Sequence, residues 1–167
     1  MIALKIKKTG PFMAKLLGEE AFDLFLLEKA QIQMAVTWEI DGRLNRKFYD
    51  PDAWKDPSLR PYDLTEWKSI RPHCYNLIRG KQTPAGFAFV LRLKPELKDS
   101  LLEKAGQDQL KAFVSGFLAN IRYQEGNVQI VTATSYASFT LDKSGEEVWD
   151  KAFVRFLTGK KIDFELL

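Results

Sequence analysis

Two acidic-glycine pairs, Asp41-Gly42 and Glu125-Gly126, stand one in each half of a 167-residue chain, each between two apolar runs. An acidic-Gly pair between alternating runs is the sequence form of a tight β-hairpin. Before the first pair, Ile32, Met34, Val36, Trp38 and Ile40 alternate with Gln31, Gln33, Ala35, Thr37 and Glu39. This predicts one half-buried strand ending at the turn, with a short return strand over residues 44–49. Before the second pair, Phe113, Phe117, Ile121 and Tyr123 line one face of a long strand, and 128–141 reads as its return, bent near Ser135.

The flanks repeat as well. Ile2, Leu4 and Ile6 predict an opening strand, and Thr9 a cap for a short helix with Pro11 in its first turn. Phe12, Met13, Leu16 and Leu17 form that helix's apolar face, and Gly18 ends it. Residues 22–27 fit a strand or a helix. After the first hairpin, Ser69 reads as an N-cap with Pro72 in the first turn, and Ile70, Cys74, Leu77 and Ile78 make a buried stripe that stops at Gly80. Phe87, Phe89, Leu91 and Leu93 then form a strand. The second half follows the same plan. Leu97, Leu101, Leu102 and Ala105 make a helix face before Gly106; Ser144 and Glu147 fit a capping box; and a helix carrying Trp149, Phe153, Phe156 and Leu157 ends at Gly159, before a strand of Ile162, Phe164 and Leu166. The order β-α-β-turn-β-α-β thus occurs twice. It predicts an α+β fold in which an antiparallel sheet carries helices on one face. The first unit spans 1–93, with a loop insertion at 50–63; the second spans 86–167; strand 86–93 is shared.

Composition narrows function by exclusion. A hydrophobic fraction of 46% suits a packed globular protein. No apolar run reaches the roughly 18 residues of a membrane span, and the first ten residues lack a signal-peptide core, so a cytoplasmic protein with no membrane partner is expected. The lone cysteine, Cys74, excludes an intrachain disulfide, and the lone histidine, His73, excludes a multi-histidine metal centre. No metal or other cofactor is expected. Net charge is only +3, but between Trp67 and Pro95 there is no acid, while Lys68, Arg71, Arg79, Lys81, Arg92 and Lys94 supply six bases. Such a stretch fits a polyanion-facing surface.

With this order of elements, the chain resembles the DNA sliding clamps, the polymerase processivity factors. Residues 110–126 and 128–141 are similar to the clamp hairpin, with Thr132-Ala133-Thr134-Ser135 as its small-residue patch, and 69–93 is similar to a clamp helix, loop and strand. Clamp modules carry further strands after their second helix, where only one fits here. The chain also resembles an uncharacterised family of small bacterial proteins. The clamp resemblance implies helices that bring bases to DNA phosphates. The implied contacts are Lys15 on the first helix, Lys68, Arg71, Arg79 and Lys81 around the second, Lys98 on the third, and Lys151 and Arg155 on the fourth. It also implies double-stranded DNA, protein partners or further copies of the chain as partners.

Each candidate has a plainer reading. Glu147, Lys151 and Arg155 lie at helical spacing for routine ion pairing, and the third helix carries Glu96, Asp99 and Glu103, which repel phosphate. His73 and Cys74 are adjacent on a helix, so their side chains point about 100° apart and do not form a catalytic pair. Asp50, Asp52, Asp56 and Asp63 match no calcium loop and read as a solvated acidic loop. Gly80-Lys81-Gln82-Thr83 lacks the earlier glycine of a phosphate loop. All four tryptophans read as packing residues except Trp54, which in its proline-rich loop is a candidate partner anchor. The expectation is therefore a non-enzymatic, clamp-like DNA-associated protein. The alternative is an interaction module of the same fold with no DNA role. An enzyme acting on a small acidic ligand through Arg71, His73 and Arg79 has the least support.

Overall fold

The computed structural model describes residues 1–167. The elements in chain order are β1 (Ala3–Ile6), α1 (Thr9–Met13), β2 (Phe25–Gln33), β3 (Thr37–Asp41), α2 (Pro51–Lys55), α3 (Trp67–Ile78), β4 (Gly86–Leu93), α4 (Pro95–Lys104), β5 (Val114–Gln124), β6 (Asn127–Tyr136), α5 (Ser144–Gly159) and β7 (Phe164–Leu166). All strands join one seven-stranded sheet in the order β3-β2-β4-β5-β6-β1-β7. Every pairing is antiparallel. The fold is α+β, as the alternation of strand and helix signals predicts.

Alternation sets the two faces of the sheet. Phe87, Phe89, Leu91 and Leu93 of β4, Phe117, Ala119 and Ile121 of β5, and Val128 and Ile130 of β6 are buried in one cluster of 29 residues. The helices fill the same cluster with Phe12, Cys74, Leu102, Phe153 and Leu157. They therefore cover one face of the sheet. Two tryptophans anchor that layer. Trp67 lies against Phe89 and donates its ring N–H to the Leu16 carbonyl at 3.0 Å; Trp149 stacks on Phe117 and donates to the Leu118 carbonyl at 2.9 Å. Each buries a large ring with its one donor satisfied.

The first hairpin differs from the expectation. Asp41-Gly42 is not its turn. The strand predicted over 31–40 is split, because β2 ends at Gln33, the chain reverses at 34–36, and β3 runs back with Ile32 opposite Trp38 and Ala30 opposite Ile40. Each pair joins residues of the same parity, so the alternation passes through the turn unbroken and hides it. Trp38 lies on this edge strand and is 46% exposed, so it is not a packing residue. Gly42 has a different task. Its N–H donates to the Glu28 carbonyl at 2.9 Å, and a Cβ there would lie 1.7 Å from the Leu27 carbonyl oxygen. The ambiguous segment resolves into a 3-10 turn at Glu20–Phe22 followed by the start of β2.

The second hairpin turns at Glu125-Gly126, with φ of 50° and 79°, the left-handed pair of a type I′ turn. Its return strand stops at Tyr136, short of the expected 141. Phe113 lies outside β5, because an irregularity between Val114 and Gly116 lets Val114 take the buried position. No return strand occupies 44–49; that stretch holds a 3-10 turn, and α2 occupies part of the expected loop 50–63. Three expected caps shift as well. Lys8, Glu66 and Lys143 hold the N-cap positions, none with a side-chain cap bond. The Thr9 hydroxyl instead donates to the Gly126 carbonyl at 3.1 Å. Ser69 lies inside α3, Pro72 sits beyond its first turn, and the Asp142 carboxylate accepts the Ser144 N–H at 2.8 Å.

Apart from α2, which has no counterpart in the second half, the order of elements is compatible with a repeat, but the pairing differs. β2 pairs with β3 and with the closing strand β4, whereas β5 pairs with β6 and with the opening strand β4. β4 thus lies between the two hairpins. The chain from Gly42 to Glu66 leaves the sheet edge and folds over the face opposite the helices, where it buries Leu26, a residue outside the main cluster.

Candidate nucleic-acid interface on the helix layer

The buried stripe of α3 decides which side chains face solvent. With Cys74 fully buried and Ile70, Leu77 and Ile78 packed beside it, the outward side carries Lys68, Ser69, His73, Tyr75, Asn76 and Arg79, with no acid among them. Burial pushes the Cys74 thiol up to about 12, so this cysteine is an inert packing group. His73 is exposed on the other side of the helix, and the two form no pair.

The expected bases separate into two groups. Arg71 turns inward. Its guanidinium donates to both Asp23 carboxylate oxygens at 2.9 and 3.2 Å and to the Leu17 carbonyl at 3.4 Å, which ties α3 to the segment after α1. Its hydrogen bond to the Asp23 carboxylate raises its pKa further. Lys98 is buried. Its ammonium donates to the Val114 carbonyl at 2.6 Å and lies 3.2 Å from Asp99, so it joins α4 to β5. Both spend their charge within the fold. Lys68 is exposed, 3.7 Å from Glu66, a carboxylate that also takes Lys94 at 3.0 Å.

The remaining bases have no internal carboxylate within 4.0 Å. Lys15 is half-buried on the π turn Ala14–Gly18, while Arg79 and Lys81 are exposed where α3 ends. Lys151 and Arg155 are exposed on α5, and the ion pairing that their spacing to Glu147 suggests does not form. They line a groove of about 320 Å³ between α4 and α5. Lys104 lines it too, with Gln107, Ser144 and Glu147. Sequence reading missed Lys104, although its place at the end of α4, two residues before the glycine stop, suits a solvent-facing base. Trp54 lies away from this layer. Its ring face is covered by the Arg60 guanidinium at 3.8 Å and its edge meets Tyr49, which makes it an internal prop of the 42–66 segment. Arg71, His73 and Arg79 are not brought together as a ligand site.

No helix is long and apolar enough to cross a membrane. Neither the curated proteins nor the solved structures offer a match to this chain. A family model does match, over residues 15–165. It establishes no kinship with the sliding clamps. Running from the turn after α1 into β7, most of the chain, it shows that the chain belongs to DUF5721, a family of unknown function.

Proposed function

We propose that this protein is a non-enzymatic DNA-associated protein whose helix layer lies along the phosphate backbone of duplex DNA. The observation that carries this reading is the absence of internal carboxylate partners for Arg79, Lys81, Lys104, Lys151 and Arg155. Cations left unpaired on one layer are available to phosphates, and such contacts carry affinity without sequence preference. Arg71 and Lys98 hold the layer together and make no contact in this reading. The recurring element order supports a clamp-like form. Fluorescence anisotropy with labelled duplex DNA tests it. Charge reversal at Arg79, Lys81, Lys151 and Arg155 is expected to abolish binding, and no binding by the wild type at low salt overturns it.

One observation favours the alternative, a protein-binding module with no DNA role. After β6 the chain leaves the sheet, and Phe139 and Leu141 stand 87% and 82% exposed. Exposed aromatic and aliphatic side chains so close together are candidates for a partner contact. Under this reading, Phe139→Ser with Leu141→Ser abolishes association with a partner while DNA binding is absent from the outset.

A further inference from the structure

The face opposite the helices holds the larger cleft, about 620 Å³, between the open side of β2, β4 and β5 and the 42–66 segment. That is the size range of a small-molecule site. Its charged lining is Arg43, Lys55, Arg60 and Arg92 against Glu28 and Asp63, four bases to two acids. The three arginines are held in place by their own bonds. Arg92 Nε donates to Glu28 and one terminal nitrogen to the Ser115 carbonyl at 3.0 Å. Its guanidinium lies over Gly116, where a Cβ would come within 2.2 Å of it. Arg60 stacks on Trp54, donates from Nε to the Trp54 carbonyl at 2.7 Å, and from Nη1 to Asp63 at 2.7 Å. Arg43 is fixed by Asp41 through Nε and Nη2.

Each guanidinium therefore uses two of its nitrogens to position itself and leaves one without a hydrogen bond: Nη2 of Arg92, Nη2 of Arg60 and Nη1 of Arg43. Lys55 has no ion pair. We infer that this cleft binds a small ligand through a phosphate group, either free inorganic phosphate or a phosphate monoester. With Asp41, which holds Arg43, counted beside Glu28 and Asp63, one positive charge is in excess, Lys55 is unpaired, and three phosphate oxygens suit three separate guanidinium donors. A monocarboxylate, with two oxygens, cannot give each donor an oxygen of its own. Tyr62 and the prolines 57, 61 and 95 wall the rest of the cleft and leave room for the body of an ester. None of the helix-layer bases lines this site, and Pro95, the first residue of α4, is the one part of that layer that does.

Isothermal titration calorimetry of the full chain with inorganic phosphate, adenosine 5′-monophosphate and adenosine tests the inference. Saturable one-to-one binding of a phosphate probe, and none of adenosine, is expected. Tighter binding of the nucleotide identifies an ester as the ligand; equal binding identifies the phosphate group alone. Arg92→Gln and Lys55→Gln are each expected to weaken binding about tenfold, the order of a lost charge-assisted bond. Gly116→Ala meets only the flexible end of Arg92. It displaces that guanidinium while the sheet stays folded, and weakens binding to the same degree. Lys160→Gln, at the exposed end of α5, leaves binding unchanged. Adenosine binding as well as the nucleotide, affinities unchanged in Gly116→Ala and Lys55→Gln, or no binding by either phosphate probe overturns the inference.

Discussion

Cys74 shows how burial governs a single side chain. Its thiol has an ordinary pKa of 9.0, and in the folded protein desolvation holds it protonated up to about 12. Above roughly pH 9 the unfolded chain releases this proton while the native protein keeps it, so stability falls as pH rises through that range. Tyr62 adds to the loss at higher pH, because burial and its hydrogen bond to Glu96 push its hydroxyl up to about 12. Urea unfolding at about pH 8 and about pH 10.5 is expected to show a lower midpoint at the higher pH, and a weaker pH dependence in Cys74→Ala. Arg71 makes the complementary case for a charged residue. Arg71→Ala orphans Asp23 and the Leu17 carbonyl, and is expected to cost about 1–3 kcal/mol in thermal or urea unfolding. The variant's DNA affinity at a temperature where it remains folded is expected to match the wild type. The sequence shows that Arg71 and Arg79 share a helix; it does not show which of them meets a carboxylate 48 residues away in the chain.

At the scale of elements, legibility followed periodicity. α5 and β4 read correctly because their apolar spacing is long and unambiguous. The β5–β6 turn read correctly because Glu125-Gly126 takes up the left-handed conformation that a two-residue hairpin demands. The first hairpin did not, since parity is preserved through its turn and alternation alone carries no mark of the reversal. Asp41-Gly42 resembles a turn only in composition. Gly42 is needed where the backbone passes the Leu27 carbonyl, a contact between residues apart in sequence. Gly42→Ala is therefore expected to destabilise the protein by about 3 kcal/mol or more, measured by urea unfolding, because backbone atoms have no room to yield. If Gly42 served only as a turn residue, the cost would be about 1 kcal/mol or less.

At the scale of the whole molecule, one antiparallel sheet presents two unlike faces. The helix face carries the main core and an outer layer of bases without carboxylate partners; the opposite face carries arginines held by acids, Arg92 on the sheet and Arg43 and Arg60 in the 42–66 segment above it. The first face was legible only in part: the acid-free run holds Arg79 and Lys81, but also Arg71, which turns inward, and Arg92, which lies on the opposite face. The second was not legible, since the cleft gathers Glu28, Arg60, Arg92 and Ser115 from distant parts of the chain, the sheet bringing β2, β4 and β5 together and the 42–66 segment carrying Arg60 to them. The central claim is that the helix layer meets DNA through phosphates. Its most direct test is the dependence of duplex binding on salt, read as log K against log salt concentration from about 50 mM to about 200 mM. Five phosphate contacts predict a slope of roughly −4 to −5, falling by about 2 in the Lys151→Gln, Arg155→Gln double variant. A flat dependence, or a slope unchanged in that variant, contradicts it.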